Sequence, residues 1–371
     1  MVANFYHEEL VHFEEKRFLF SKCWNFVGFT EQVAEHGQFI TVDIAGTSVV
    51  IQNFNGDLRA LHNVCSHRFS IIQQEKCGKR ALTCPYHGWT YDKYGIPFIP
   101  GNANFFQMDA NARKALALRS FDLETCGRFI FIRLSSQGAN LKEFLGANFA
   151  LLQHFSKIFV NPIKSQSIPW NTNWKLGVES VLEDYHLDSV HSKSISNVVM
   201  PRWEIDVEAE NNYGKAYMSE TSGKWWDSVC LKIKLQASKQ FSDYDHFFIF
   251  PNLAIALSRG CLMSVQTYTP ISPETCEINF QLLMANSGLL SEKQTALLKA
   301  ISDSVSTFNS IVLLEDQQIM EQVQRGTRQK TLAPVHGINE ARIQKFHKQW
   351  HSWMRESDCL TMSNTLGRYR N

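Results

Sequence analysis

Long apolar runs, an excess of charge of one sign and a secretory leader are all missing from this sequence. No stretch of about 18 apolar residues occurs, so the sequence predicts no membrane span. The 37 basic and 36 acidic side chains give a net charge of +1, which leaves no strong field to attract nucleic acid or an anionic membrane. The first 16 residues lack the basic and apolar segments of a signal peptide. We therefore expect a cytoplasmic protein without nucleic-acid or membrane partners.

A disulfide framework is not expected either. The nine cysteines are odd in number and are scattered along the 371 residues. In a protein without a secretory signal, this pattern favours reduced thiols and metal ligands. The length suits two domains better than a single core. A content of 44% hydrophobic and 20% charged residues is typical of a globular protein.

Apolar periodicity divides the chain into helical and β-rich regions. Helices are predicted over residues 4–22, over 139–159, from Ser291 to about Gly326, and over 339–355. Short strands separated by turn signals are predicted over 24–134 and 200–285. Ser291 and Gln294 have the spacing of a capping box, which would begin the third helix.

Two Cys–His pairs form the strongest motif. Cys65 and His67 are followed, after sixteen residues, by Cys84 and His87. Thiolates on one iron and imidazoles on the other would raise the potential of a two-iron cluster above that of an all-thiolate cluster. A structural zinc site is the alternative, although zinc modules usually group Cys with Cys and His with His. Cys77 lies between the pairs and is predicted to be a free thiol.

A second group of acidic and histidine residues follows in the other half of the chain. Glu179, Glu183 and His186 have the spacing i, i+4, i+7, which predicts one helical face. His191 lies five residues after His186, so the helix must loosen or end between them. Two histidines and a distant carboxylate form the facial triad that holds non-haem Fe(II) and leaves coordination positions open.

Both motifs resemble those of the Rieske non-haem iron oxygenases. The segments 63–68 and 84–92 are similar to the two cluster loops of that family, and the Asn-Trp-Lys at 173–175 precedes its histidine pair. The segments 314–317 and 321–326 are similar to the corresponding helix of choline, carnitine and glycine-betaine oxygenases. The resemblance implies an α+β fold, with a Rieske [2Fe–2S] β-sandwich and a helix-grip catalytic domain. It implies an N-terminal helix at 1–22 packed on the catalytic domain, a Rieske domain at 23–135 and the catalytic domain at 136–371.

The resemblance also assigns roles to residues of this chain. The [2Fe–2S] cluster would be held by Cys65, His67, Cys84 and His87. The mononuclear Fe(II) would be held by His186, His191 and Asp316, with Glu315 as the alternative to Asp316. Glu183 would bridge the iron site and the cluster of a neighbouring subunit, which implies a head-to-tail ring, most often a homotrimer. Ser180 departs from the family, where Asn is frequent at that position.

The implied function is a terminal oxygenase that hydroxylates or dealkylates a small organic substrate with O2. Electrons would come from a separate NAD(P)H-dependent reductase or ferredoxin, because the sequence has no G-x-G-x-x-G dinucleotide motif. Aromatic cis-dihydroxylation is a close alternative, and an electron-transfer Rieske protein with a vestigial iron site is another. Trp225 and Trp226 are expected to pack in the core or to anchor a loop rather than to form an aromatic cage, and His246 is expected to be structural or on the surface.

Overall fold

The computed structural model describes residues 1–99, 106, 108–200, 203–209, 211–329 and 334–355. The chain divides into two compact units: the first unit is Lys16–Leu145, and the second unit combines Met1–Glu15 with Gly146–Asn371. The domain limits expected after residues 22 and 135 both fall inside the first unit. Each unit contains its own antiparallel sheet.

The first unit is built on a seven-stranded sheet in the order β1-β9-β8-β4-β3-β2-β5. The strands of this sheet are β1 Asn25–Phe29, β2 Gln38–Ile44, β3 Thr47–Phe54, β4 Asp57–His62, β5 Cys77–Lys79, β8 Ser120–Cys126 and β9 Phe129–Arg133. A separate two-stranded sheet consists of β6 Thr90–Tyr91 and β7 Pro97–Phe98. Short α-helices in the described part of this unit include Ala110–Ala115 and Leu141–Leu145. The hairpin between β3 and β4 turns at Asn55 and Gly56, whose φ angles of 57° and 91° match a type I′ turn.

The second unit has a seven-stranded sheet in the order β10-β16-β15-β14-β13-β12-β11. Its strands are β10 Phe159–Trp170, β11 Glu204–Asp206, β12 Tyr213–Ala216, β13 Tyr244–Ile249, β14 Leu253–Ser258, β15 Leu262–Ser272 and β16 Thr275–Ala285. β12 to β16 are neighbours in sequence and in space, so short hairpins connect them. The predicted α+β class is confirmed.

Helices surround the sheet of the second unit. We call Trp174–Ser180 the site helix, Glu292–Thr327 the long helix and Ala341–Trp353 the C-terminal helix; the others are Glu9–Glu14, Ala147–Ile158, Leu187–Val190 and Glu220–Ile233. The predicted capping box is confirmed, because the Ser291 hydroxyl accepts from the Gln294 backbone and the Gln294 side chain accepts from the Ser291 backbone. By length and composition the long helix is the one described helix apolar enough to cross a membrane, a test that core helices also pass.

Three predicted elements differ from the structure. The single N-terminal helix is wrong: Ala3–Tyr6 is a 3-10 helix, Glu9–Glu14 an α-helix and Glu15–Phe20 a π-helix. The predicted helix at 139–159 is divided at Gly146, whose φ of 53° an α-helix does not allow. The second β-rich region also contains the helix Glu220–Ile233, which begins at a Ser219 cap.

A buried ion pair joins the N-terminal segment to the site helix within the second unit. The Lys175 ammonium donates to Glu15 Oε1 at 2.6 Å, and both side chains are 0% exposed. The indole N–H groups of Trp174 and Trp350 also donate to the Glu15 carboxylate, each at 2.8 Å. Because the Glu15 carboxylate accepts from all three side chains, its buried negative charge and the positive charge of the ammonium compensate each other.

Candidate metal centres and the cavity beside them

The first Cys–His pair lies on a tight loop between β4 and β5. The Cys65 N–H donates to the Ser70 carbonyl at 2.8 Å, and the Cys65 carbonyl accepts from the Phe69 N–H at 2.9 Å. Phe69 has a φ of 61°, a left-handed conformation that is uncommon for an aromatic residue. The loop closes with a bridge between Val64 and Ile71. These bonds fold the backbone around the Cys65 thiol.

The second pair lies on a loop with the same geometry. The Cys84 N–H donates to the Trp89 carbonyl at 2.8 Å, and the Cys84 carbonyl accepts from the Gly88 N–H at 3.0 Å. Gly88 has a φ of 73°, and a bridge between Thr83 and Thr90 closes the loop. The sequence therefore forms two equivalent loops, each presenting a thiol and an imidazole.

The side chains of the two loops converge on one site. The rings of His67 and His87 lie 4.7 Å apart, and His67 is stacked on Trp89 at 4.7 Å. Cys65 and Cys84 are buried, and the Tyr91 hydroxyl lies 3.0 Å from Cys65 Sγ. Within the described part of the chain, the buried Nδ1 of His67 has no hydrogen-bond partner. Burial lowers the pKa of His67, which favours a neutral ring with a free lone pair.

This donor set fits the two-iron cluster that the motif predicts. Two buried thiols and two imidazoles lie on the two loops, and the His67 ring nitrogen needs a partner that the described residues do not supply. Cys77 stands apart as an exposed free thiol, as predicted.

The second group of ligand-type residues meets in the second unit. Asp316 Oδ1 lies 3.0 Å from His191 Nε2 and 3.6 Å from His186 Nε2. One ligand atom from each of the three residues lies within 4.8 Å of the others. Asp316 comes from the long helix and the histidines from the segment after the site helix. The arrangement has the composition of a two-histidine, one-carboxylate iron site.

The expected helical face of Glu179, Glu183 and His186 is wrong. The site helix ends at Ser180, and His186 precedes the short helix Leu187–Val190. The carboxylate of Glu183 accepts from the backbone N–H groups of Tyr185 and His186, so it caps a tight turn instead of extending the helix.

Glu179 accordingly faces away from the triad. Its carboxylate accepts from the Tyr6 hydroxyl at 2.8 Å and contacts His347 Nε2 at 2.9 Å.

Each histidine of the triad contacts a second carboxylate through its other ring nitrogen. His186 Nδ1 lies 2.5 Å from Glu183 Oε1, and His191 Nδ1 lies 2.7 Å from Glu315 Oε2. These carboxylates favour the tautomer with the proton on Nδ1, which turns the Nε2 lone pair towards Asp316. Glu315, the alternative ligand, thus lies on the far side of the His191 ring. Sequence reasoning weighed Glu315 only as a ligand and missed this orienting contact.

The electrostatics of the triad favour a positive charge. Burial alone would lower the pKa of His186, but Asp316 and Glu183 outweigh it and raise the pKa to about 10. Burial is likewise outweighed at His191, where Asp316 raises the pKa. In turn the two imidazoles lower the pKa of Asp316 against the opposing effect of burial. The same negative charge can hold a divalent cation in place of the proton.

A cavity of about 370 Å³ opens beside the triad. The sheet forms one wall, and the long helix forms another. Described lining residues from the sheet are Tyr244, His246, Ala254, Ala256, Ser258, Leu262, Ser264 and Gln266, and those from the long helix are Ser304, Val305, Phe308, Asn309, Val312, Leu313 and Asp316. Ser180 also lines the cavity, and its hydroxyl donates to the Gly177 carbonyl at 2.9 Å.

Three residues to which the sequence assigned no binding role line the cavity. Trp225 and Trp226 both reach its lining, with ring centroids 4.8 Å apart and planes at 77°. His246 also lines it, although it was expected to be structural or on the surface. The available signal was their spacing, because residues two apart in a strand, such as Tyr244 and His246, share one face of it.

Family models cover most of the chain. Residues 23–103 match the Rieske [2Fe–2S] domain, and residues 160–356 match the catalytic domain of the ring-hydroxylating alpha subunit. The second match spans more than half of the sequence. The chain therefore belongs to the ring-hydroxylating alpha subunits, which are Rieske non-haem iron oxygenases carrying a [2Fe–2S] cluster and a mononuclear iron.

Curated relatives are oxygenase subunits of monooxygenases. The glycine betaine monooxygenase oxygenase subunit of Chromohalobacter salexigens is 31% identical over 53% of this chain and 44% of its own length. The chain thus spans less than half of that relative. Choline monooxygenase of Amaranthus tricolor is 23% identical over 96% of this chain and 77% of its own. The carnitine monooxygenase oxygenase subunit of Escherichia coli K12 is 24% identical over 93% and 91%.

Solved structures of the family share the fold. The quaternary ammonium Rieske monooxygenase CntA, in complex with an inhibitor, has a TM-score of 0.78 at 19% identity, covering 95% of this chain and 94% of its own. A naphthalene 1,2-dioxygenase variant bound to phenanthrene has a TM-score of 0.75 at 15% identity, covering 96% and 92%. Because monooxygenases and dioxygenases have the same architecture, the fold does not distinguish between the two reactions.

Proposed function

We propose that this chain is a terminal oxygenase that hydroxylates or dealkylates a small organic substrate, with one oxygen atom of O2 entering the product. The observation that carries the proposal is the triad of His186, His191 and Asp316 at the wall of a largely apolar cavity. When bound, the cluster supplies single electrons and the Fe(II) supplies O2 activation. The three curated relatives are monooxygenases, which favours monooxygenation.

The ligand assignments are part of this proposal. Cys65, Cys84, His67 and His87 would hold the [2Fe–2S] cluster, and His186, His191 and Asp316 would hold the iron. The residues around the triad orient its imidazoles, while the apolar lining keeps water away from the reacting carbon.

The cavity favours an uncharged or cationic substrate. Among its described lining residues there is no Lys or Arg, and its carboxylates, Glu183 and Asp316, already contact the histidines. Away from the triad, a substrate carboxylate would therefore be buried without a counter-ion, which is costly. Carnitine and glycine betaine both carry a carboxylate, whereas choline does not. We infer that this enzyme acts on a neutral molecule or a choline-like cation, with Trp225 available to contact a positive charge.

Glu183 would carry electrons between subunits. Its carboxylate contacts His186 Nδ1, and the neighbouring Tyr185 is 80% exposed, so this turn lies at the protein surface. A partner subunit could therefore bring its cluster to Glu183. We propose a homotrimer in which electrons from an NAD(P)H-dependent reductase or ferredoxin pass across this contact, in a cytoplasmic enzyme.

Iron content and isotope labelling test the proposal. An oxygenase contains about three irons per chain, whereas an electron carrier with a vestigial site contains about two. Asp316→Ala should lose only the mononuclear iron and all turnover, while keeping the cluster spectrum. With 18O2, one labelled atom in the product supports monooxygenation, and two support cis-dihydroxylation. A wild-type protein with two irons and no O2 uptake over a panel of amines, ethers and ketones would refute the proposal.

Subunit mixing tests the electron path. Cys84→Ser chains lack a cluster, and His186→Ala chains lack the iron site, so each variant alone should be inactive. If electrons cross between chains, co-expressed mixtures should regain activity, because a mixed trimer contains a complete pair of centres. Mixtures that stay inactive while both variants assemble normally would contradict the inter-subunit path.

A further inference from the structure

His246 lies on the sheet wall of the cavity. It lies on β13 beside Ala256 of β14, and Ala256 in turn pairs with Ser264 of β15. All three residues line the cavity. The two neighbours have small side chains, so the imidazole is the largest side chain in this row of the sheet. A substrate lying on the row would contact its ring.

Arg342 of the C-terminal helix determines which ring nitrogen of His246 carries the proton. Its Nη2 donates to His246 Nδ1 at 2.8 Å. A guanidinium has only donors, so Nδ1 must be the acceptor and cannot carry a hydrogen. The proton of a neutral ring is therefore on Nε2. The Arg342 guanidinium is itself held by Asn212, through the side-chain oxygen at 2.8 Å and the carbonyl at 3.1 Å.

The same contact keeps the ring neutral. Burial and the adjacent guanidinium lower the pKa of His246 well below its ordinary value of 6.5. Burial also lowers the pKa of Arg342, but only to about 9, so the guanidinium stays charged at neutral pH. His246 therefore carries a single N–H group and no charge.

The surroundings of Arg342 make a purely stabilising role a poor explanation. The side chain is 0% exposed, and its hydrogen bonds to described residues go to neutral groups rather than to a carboxylate. Its Nη1 has no hydrogen-bond partner in the described part of the chain. The guanidinium lies over the Trp203 ring at 5.5 Å. A buried cation with such partners costs stability, and apolar packing at the same place would avoid the cost.

We propose that His246 is a specificity-determining residue whose Nε2–H donates a hydrogen bond to an acceptor oxygen of the substrate. The chemical class is an uncharged or cationic molecule with a carbonyl, ether or hydroxyl oxygen held at the sheet wall, away from the carbon to be oxidised. The inference rests on the proposed function in one respect, namely that the cavity is the substrate site. A fixed donor in an apolar wall favours a molecule with a matching acceptor, because an analogue without it leaves the N–H unpaired.

Two conservative variants separate this role from a structural one. In His246→Asn the side-chain oxygen can replace Nδ1 as the acceptor for Arg342, but no donor reaches the position of Nε2. In His246→Gln the longer amide restores a donor near that position. If His246 only supports Arg342, the Asn variant should prefer ligands with an acceptor oxygen as strongly as wild type does. If His246 recognises substrate, the Gln variant should be closer to wild type than the Asn variant.

Binding of a matched probe pair measures the role. 1-Indanone and indane differ by one carbonyl oxygen, and calorimetry on the iron-loaded protein without reductase gives the ratio of their affinities. The ratio should favour the ketone about tenfold less in His246→Asn than in wild type, with partial recovery in His246→Gln. His154→Gln, a substitution outside the cavity lining, should leave the ratio unchanged.

Each outcome has a defined meaning. An equal ratio in wild type and His246→Asn, or no binding of 1-indanone to wild type, would overturn the inference. Because no turnover is needed, a normal shift in the ratio combined with failure of O2-dependent oxidation would instead count against the proposed function. Loss of binding by both probes in His246→Asn and equally in His246→Gln would indicate that His246 supports the cavity and does not recognise the substrate, and would also overturn the inference.

Discussion

Glu315 and Asp316 are adjacent in the sequence but contact opposite nitrogens of His191, so their substitutions should have different effects. Glu315 Oε2 lies 2.7 Å from Nδ1 and accepts from the Ser194 hydroxyl at 2.5 Å. Asp316 Oδ1 lies 3.0 Å from Nε2. Glu315→Leu removes the group that orients the ring, whereas Asp316→Ala removes a proposed ligand. Glu315→Gln keeps an acceptor and loses only the charge.

The magnitudes follow from these contacts. Loss of a carboxylate that orients a metal-bound histidine typically weakens metal binding by about 10- to 100-fold, or about 1.4 to 2.7 kcal/mol. Glu315→Leu should fall in that range. Glu315→Gln should lose about tenfold or less, because its amide oxygen can still accept from both donors. Asp316→Ala should lose more than either, because only two of the three proposed ligands remain.

The assay is anaerobic competition for Fe(II) against a coloured chelator. Cluster absorbance is followed in the same samples, so that loss of the mononuclear iron is separated from unfolding. Glu315→Leu with wild-type iron affinity would refute the orienting role. Glu315→Leu with the same loss as Asp316→Ala, at an intact cluster, would instead indicate that Glu315 is a ligand.

Three further changes test other parts of the molecule. Tyr91→Phe removes the hydroxyl 3.0 Å from Cys65 Sγ and should lower the reduction potential of the cluster by some tens of millivolts. A tenfold change in a one-electron equilibrium corresponds to about 59 mV. An unchanged potential in voltammetry would contradict this prediction. Ala256→Phe should fill the cavity and abolish O2 uptake with substrate at an unchanged iron content. Glu15→Met should cost about 3 to 5 kcal/mol in urea unfolding, because it leaves the Lys175 ammonium buried without its partner. Adding Lys175→Met should recover part of that loss, because the indole N–H groups of Trp174 and Trp350 still lack the carboxylate; a double variant as unstable as the single one would refute the explanation.

Local signals predicted those elements that local hydrogen bonds specify. The capping box at Ser291 begins the long helix, and the turn at Asn55 and Gly56 joins two strands, as their sequences indicate. The break at Gly146 and the π-helix from Glu15 were missed. Apolar periodicity continues through both places and does not indicate a change of backbone conformation. At Glu15 the chain also makes a contact distant in sequence, the ion pair with Lys175, which lies 160 residues away.

The candidate ligands were predictable because their residue types and spacing follow directly from metal chemistry. His246 and Arg342 were not, since the two are 96 residues apart and form no motif. Glu183 was proposed as a partner of His186 and does contact it, but the predicted helix through both residues was wrong. A carboxylate that caps its own turn has the same sequence spacing as one on a helical face, so spacing alone cannot distinguish them.

The two carboxylates behind the triad differ in what each requires of the fold. Glu183 reaches His186 from three residues away and also accepts from the backbone of the same turn, so that ring is oriented locally. Glu315 reaches His191 from 124 residues away on the long helix, which also carries Asp316. His191 is therefore oriented only when the long helix packs against the turn. A cation bound by the three residues would join these two elements, and its binding free energy would add to the stability of the second unit.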